Sequence, residues 1–68
     1  MEYNFGKLLR ELRNDKGIGQ EELGKVVNVA NNTISSWERG NSEPNIAQLR
    51  KIAKYFDVSG DLILGFEK

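Results

Sequence analysis

The sequence predicts an all-α fold, a compact domain of five short helices. Apolar residues recur at helical spacing in several segments, and no run of four or more residues alternates apolar and polar as a strand would. Segments that contain Gly, Asn or Pro separate the helical ones, which is typical of helix ends. A chain of 68 residues is long enough for one small core, so we expect a single domain over 1–68.

The first helix is indicated by an apolar stripe and by residues suited to both of its ends. Asn4 can cap its start, and Gly17 can end it directly after Lys16. The stripe has the i, i+3, i+4, i+7 spacing of one helix face and consists of Phe5, Leu8, Leu9 and Leu12.

Two further helices follow at short distance. One is expected over Gln20 to Val27, after Gly19 as its N-cap. The other is expected over Asn31 to Arg39, ended by Gly40 and Asn41. Between them Asn28 is the non-glycine residue that best tolerates a positive φ.

The last two helices are predicted from capping residues and apolar spacing. Asn45 with Gln48 forms a capping-box pattern after the loop 41–44 that holds the only Pro. The fourth helix then continues to Asp57 along an apolar series of Ile46, Leu49, Ile52, Ala53 and Phe56. Ser59 can cap a fifth helix through 62–64, closed by Gly65.

Composition excludes several classes of function. With no Cys and no His, the chain lacks disulfides, the usual zinc ligands and the common nucleophile–imidazole pairs. A chain this short has little room for a substrate pocket, so we expect no enzyme, no metal and no cofactor. No apolar run approaches the length of a membrane span, and the N-terminus does not have the pattern of a signal peptide. We therefore expect a cytoplasmic protein without a membrane partner.

The segment from Gln20 to Arg39 has the pattern of two helices that cross at a sharp angle. Gly24 in the first helix permits close approach of the second, and Asn28 makes the corner between them. Val29 can fill the corner, while Ile34 and Trp37 anchor the second helix in the core. This is the sequence pattern of a helix-turn-helix.

The outward face of the third predicted helix is almost uncharged. At 100° per residue, Asn32, Ser36 and Arg39 fall opposite the apolar pair Ile34 and Trp37. A helix face that is merely solvated more often carries Glu and Lys. Asn can form a bidentate bond to adenine, Ser can donate or accept, and Ala30 can touch a thymine methyl. The face therefore has the chemistry of major-groove recognition.

The chain resembles the lambda-repressor/Cro-type helix-turn-helix family of bacterial and phage transcriptional regulators. The matching pieces are FGKLLRELRNDKGIGQEELG, TISSWERG, PNIAQLRKIAKYFDVS and LILG, in family order and spacing. The resemblance implies sequence-specific binding of double-stranded DNA by a regulator that acts as a repressor, with a helix-turn-helix over about 20–39. It places a recognition helix over about 31–39 in the major groove. It also implies a homodimer on a palindromic operator, formed through the C-terminal helix or a further C-terminal domain.

The same resemblance assigns roles to particular positions. Base contacts are implied for Ala30, Asn31, Asn32 and Ser36. Phosphate contacts are implied for Gln20, Thr33, Arg39, Asn41 and Ser42. A structural ion pair is implied between Arg13 and Glu38. The basic residues of other helices are interpreted as solvated faces, namely Lys7, Arg10, Lys51 and Lys54.

Charge leaves two other classes of function open. The whole chain has ten basic and ten acidic residues, and over 20–42 two bases against three acids leave a net charge of −1. DNA binders are more often basic. One alternative is therefore a protein-interaction module, such as an antitoxin or an adaptor that binds another regulator. The other is an accessory module of a longer enzyme. A DNA-shift experiment without a retarded species would favour the first, and the complete gene would identify the second.

Overall fold

The computed structural model describes residues 4–59, and this part of the chain is an arrangement of four helices without a strand. The helices are α1 (Phe5–Lys16), α2 (Gln20–Val27), α3 (Asn31–Arg39) and α4 (Ile46–Phe56). The all-α prediction and these four helices are confirmed. The fifth helix expected after Ser59 lies outside the described residues.

Capping residues fix where α1 and α4 begin. The Asn4 side chain accepts a hydrogen bond from the Lys7 amide at 3.0 Å. At α4 the capping box is complete, because the Asn45 side chain accepts from the Gln48 amide at 2.8 Å and the Gln48 side chain accepts from the Asn45 amide at 2.8 Å. Both bonds satisfy amides that a helix start otherwise leaves without partners.

Each of the four helices ends at a residue in the left-handed region. Gly17 and Gly40 do so with φ of 73° and 79°, as their glycine identity predicts. Asn28 adopts φ 62°, in agreement with the prediction for the corner. Asp57 also adopts a left-handed conformation, with φ 56°, and it is tolerated because Asp, like Asn, visits this region more readily than most residues.

The core lies where the four helices meet. Its fully or almost fully buried members come from every helix: Leu9, Leu23, Val27, Ile34, Trp37 and Ile52. α3 packs against both α1 and α2, and α2 also packs against α4. The third helix therefore packs on one side against α1 and α2, and its opposite side is exposed.

Two glycines allow the helices around α3 to approach closely. A Cβ on Gly24 would lie 2.6 Å from the Val29 carbonyl oxygen, so a larger residue would push the corner away from α2. Gly6 on α1 is similarly confined, since a Cβ there would lie 2.7 Å from the Trp37 carbonyl oxygen. Gly24 was expected to act in this way, whereas the sequence pattern did not single out Gly6.

Candidate nucleic-acid interface

The outward face of α3 is a short polar surface. Ile34, Trp37 and Glu38 are buried on its inner side. Asn31, Asn32 and Arg39 are exposed, and Ser36 is half-buried between the last turn of the helix and the loop that follows. Because the inner side fixes the helix, these outer side chains project from a rigid support.

The start of α3 has no side-chain cap. Ala30 at the N-cap is extended, with φ −70° and ψ 155°, and makes no side-chain capping bond. Its carbonyl oxygen accepts from the amides of Thr33 at 3.0 Å and Ile34 at 3.4 Å. The first amides of α3, those of Asn31 and Asn32, therefore have no capping side chain, and they lie at the positive end of the helix dipole.

The end of α3 is tied to the loop that follows it. The Asn41 amide donates to the Ser36 carbonyl oxygen at 3.0 Å. The side chains of Ser36 and Ser42 also join, with their hydroxyl oxygens 2.8 Å apart. Gly40, Asn41 and Ser42 are exposed, and this arrangement places them beside Arg39 at one end of the outward face.

Behind α3, Glu38 is the centre of a polar cluster. Its side chain is only 1% exposed and accepts from Arg13 Nε at 2.7 Å and Arg13 Nη2 at 3.1 Å. Gln20 Nε2 donates to the same carboxylate at 3.2 Å, and Arg10 Nε lies 3.5 Å from it. Arg13 also donates to the Ile18 carbonyl oxygen at 3.0 Å. The carboxylate therefore joins the end of α3 to α1 and to the start of α2.

The electrostatics of this cluster favour the charged state of both partners. Burial of Glu38 raises the pKa of its carboxyl group, but the hydrogen bonds from Arg13, Gln20 and Arg10 and the charge of Arg13 together lower that pKa by more. The net pKa of Glu38 lies below its ordinary value. The hydrogen bond to Glu38 raises the pKa of Arg13, against the smaller opposing effect of burial.

Because of this ion pair, the exposed charge of residues 20–42 differs from their net charge. One of the three acids in that segment is Glu38, which is buried and paired with a cation from α1. The acids left exposed are Glu21 and Glu22 at the start of α2, against exposed Lys25 and Arg39. The exposed charge of the segment is therefore balanced, because the one acid in excess is the buried Glu38.

The structure brings the expected site residues together in two places. The first group lies on α3 and the loop directly after it, and consists of Asn32, Ser36, Arg39, Asn41 and Ser42. Gln20 lies apart from this group, at the start of α2, where it is half-buried against Glu38. Thr33 is half-buried, between the polar and the apolar side of α3. Arg13 and Glu38 lie behind this surface and are in contact.

Arg10 was interpreted as part of a solvated face, and the structure assigns it a further contact. Its side chain is 55% exposed but reaches Glu38 through Nε. A signal was present in the sequence, because Gly6, Arg10 and Arg13 have the i, i+4, i+7 spacing of one helix face. Gly6 brings α3 close to that face, and the two arginines then flank its buried carboxylate.

Comparisons with known proteins identify the class to which this fold and surface belong. A family model described as helix-turn-helix matches residues 9–63. The chain belongs to this helix-turn-helix family.

Two curated relatives and one solved structure show what similar chains do. The chain is 38% identical over 64 residues to the HTH-type transcriptional activator BcrR of Enterococcus faecalis, covering 94% of this chain and 31% of that protein. It is 41% identical over 60 residues to the repressor protein C2 of Salmonella phage P22, covering 88% of this chain and 28% of that protein. The chain therefore spans less than a third of the length of these two relatives.

The crystal structure of the P22 c2 repressor bound to a synthetic operator has the same fold. It superimposes with a TM-score of 0.88 at 36% identity, over 97% of this chain and 100% of that one. The lambda-repressor-like fold expected from the sequence is thereby confirmed.

Two features are absent from the described part of the chain. None of its helices is both long and apolar enough to cross a bilayer. The same residues contain no group of three or more acidic side chains placed to hold a metal ion.

Proposed function

We propose that this chain binds double-stranded DNA in a sequence-specific manner as the DNA-binding domain of a transcriptional regulator. The observation that carries the proposal is the outward face of α3, which is exposed and uncharged except for Arg39, on a helix fixed from behind. Neutral amides and hydroxyls on a rigid helix can discriminate base edges, whereas a purely electrostatic DNA binder would carry cations there.

In this proposal α3 lies in the major groove and its first half contacts bases. Asn31 and Asn32 can each pair with adenine N6 and N7 through the amide group, and the Ala30 methyl can contact a thymine methyl. Ser36, one turn beyond Asn32 on the same face, adds a single hydroxyl. A set of neutral groups gives specificity that depends little on salt.

Phosphate contacts on both sides of the groove would fix the register of the helix. Arg39 and the exposed loop residues Asn41 and Ser42, the latter through its hydroxyl, would hold one strand, and Thr33 and Gln20 would hold the other. Gln20 carries a constraint of its own, because its Nε2 donates to Glu38 at 3.2 Å. The second N–H of this amide stays able to bind a phosphate while the first is held, so the contact is pre-positioned.

Affinity in this proposal comes from two copies of the chain on one palindromic operator. The proposed surface of one domain is small and carries few cations, so its affinity for a half-site is low. Two domains on half-sites about 34–36 Å apart would combine their contacts. Repression is the simpler outcome, because an occupied operator excludes other proteins without a further partner, whereas activation needs an additional contact.

A selection from a pool of random DNA duplexes tests the proposal. The purified chain, fused to an unrelated dimeric coiled coil, should enrich a defined sequence. Asn32→Ala should lose the preference at one position of each half-site, because its neutral side chain contacts a base. The matched control is Asn14→Ala, which removes an exposed Asn from α1 and should enrich the same sequence as the unmodified chain.

Two results would contradict the proposal. If the unmodified fusion retained no duplex, a protein-interaction role for the same fold would be favoured. If Asn32→Ala enriched the same sequence as Asn14→Ala, then α3 would not be the helix that contacts the bases.

A further inference from the structure

Ser36 on α3 and Ser42 on the loop after it form a hydroxyl pair that joins two parts of the proposed surface. Ser36 is on the proposed base-contacting face, and Ser42 is on the exposed loop proposed to contact phosphate. Their oxygens are 2.8 Å apart, and either one can be the donor. The backbone reinforces the pair, because the Asn41 amide donates to the Ser36 carbonyl oxygen at 3.0 Å.

The direction of this hydrogen bond decides what each serine can still offer. A hydroxyl has one proton and two lone pairs, so the member that donates within the pair has no proton left for another partner. The member that accepts keeps its proton. If Ser42 donates, Ser36 keeps a donor for the groove. If Ser36 donates, it can only accept from a base.

A phosphate oxygen can only accept hydrogen bonds, and this removes the ambiguity. When Ser42 binds a phosphate, its single proton must point to that oxygen, so the bond within the pair must come from Ser36. The Ser36 oxygen then faces the groove with lone pairs alone. In the major groove only adenine N6 and cytosine N4 offer protons to such an acceptor, while guanine and thymine present acceptors.

We infer that Ser42 is a specificity-determining residue. Its contact with phosphate makes Ser36 select a base that has an amino group on its major-groove edge. This inference rests on the proposed function, since it needs α3 in the major groove. In this inference Ser42 itself touches no base. It controls which base Ser36 can contact, because it fixes the direction of one proton.

The test is a selection from random duplexes with the dimeric fusion of the full chain and three variants. Ser36→Ala identifies the position that Ser36 contacts, because the preference there is lost. At that position the unmodified chain should favour adenine or cytosine on the contacted strand by about two- to tenfold, the range of one net hydrogen bond. Ser42→Ala should broaden the preference to all four bases, since the Ser36 hydroxyl can then donate as well as accept. Ser42→Thr keeps the hydroxyl and should keep the preference.

The possible failures separate this inference from the proposed function. If the unmodified chain enriches no sequence, the proposed function fails, and the inference fails with it. If it enriches a sequence that Ser36→Ala alters while Ser42→Ala leaves the preference intact, the proposed function stands and the inference is wrong. A preference for guanine or thymine at the Ser36 position would equally overturn it. Circular dichroism of each variant checks that its total helix content equals that of the unmodified chain, so that a broadened preference is not an effect of lost helix.

Discussion

At the scale of single residues, Glu38 connects three helices of this domain. It is a buried carboxylate at the end of the helix proposed to contact DNA, and its partners come from α1 and α2. No other polar or charged residue of the described chain is buried. A buried charge is tolerated only when its hydrogen bonds are satisfied, and here the two oxygens together accept from Arg13, Gln20 and Arg10. Glu38 and these partners therefore stabilise one arrangement of α1, α2 and α3.

Glu38→Gln should strongly destabilise the fold. The substitution keeps the shape but leaves the guanidinium of Arg13, whose side chain is 14% exposed, without its counter-charge. Breaking such a pair costs about 3–5 kcal/mol, a large part of the stability of a small domain. The measurement is the free energy of unfolding from urea denaturation. Glu43→Gln, which alters an exposed carboxylate in the loop before α4, is the matched control and should change it by less than about 0.5 kcal/mol.

Acidification should remove the stabilisation that Glu38 provides. Its pKa in the folded state is below the ordinary value, so the folded chain holds the proton less tightly than the unfolded chain. The contribution is therefore complete above the ordinary pKa of Glu, about 4.3, and is lost as pH falls through the lowered pKa. Unfolding free energies of the unmodified chain and Glu38→Gln, measured from pH 7 downwards, should converge in acid. A constant difference between them at all pH values would contradict this assignment.

At the scale of helices and turns, the corner between α2 and α3 is closely confined. Asn28 turns the chain with φ 62°, and the Val29 amide donates to the Gly24 carbonyl oxygen at 2.8 Å. Val29 is half-buried and packs against the core. The corner thus fixes the angle at which α3 is presented, with little space to adjust.

Gly24→Ala should destabilise the domain, because the added methyl carbon would lie 2.6 Å from the Val29 carbonyl oxygen. Overpacking of this kind costs about 1–3 kcal/mol, and thermal unfolding measures it. Gly19→Ser is the control, since a Cβ at Gly19 meets no atom within 4 Å and Ser is a suitable N-cap for α2. Equal melting temperatures of Gly24→Ala and Gly19→Ser would show that the corner can move.

Helices and caps could be predicted from the sequence because their causes are local. Asn4, Gly17, Asn28 and the Asn45–Gln48 box act within a few residues, and each behaves as its chemistry predicts. Contacts between segments that are distant in the sequence were harder to predict. Arg10 reaches a carboxylate 28 residues away, and Gly6 is required only because the backbone of α3 passes beside it. The Ser36–Ser42 bond depends on the path of the loop after Gly40, which no periodicity describes.

At the scale of the whole molecule, charge and size set the conditions for DNA binding. The chain has no net charge, and near α3 the exposed acids and bases balance. We therefore expect weak non-specific attraction to DNA, and within residues 4–59 the proposed surface is one short helix face with the loop after it. Both features favour a design in which affinity comes from two copies and specificity from neutral contacts.

Fusion of the chain to an unrelated dimeric coiled coil should raise its affinity for a palindromic site by about 10²–10⁴-fold over a single half-site. Once one domain is bound, the second binds at the high effective concentration set by the linker. Fluorescence anisotropy with both duplexes measures the two affinities. If the fusion bound the half-site and the palindrome equally well, the two-copy model would be wrong.

The central claim, that α3 and the loop after it form the DNA-binding surface, is tested most directly by titrating variants against salt. The duplexes are the sequence enriched by selection and an unrelated one, each at several salt concentrations. Arg39→Gln should weaken binding to both duplexes and reduce the slope of log affinity against log salt by about one, because one phosphate contact is lost. Asn32→Ala should reduce only the preference between the duplexes, by about 1–3 kcal/mol, with the slope unchanged. Arg50→Gln, at an exposed position of α4, is the control and should alter neither quantity. If Arg39→Gln left the slope unchanged and Asn32→Ala left the preference unchanged, α3 would not be the surface that binds DNA.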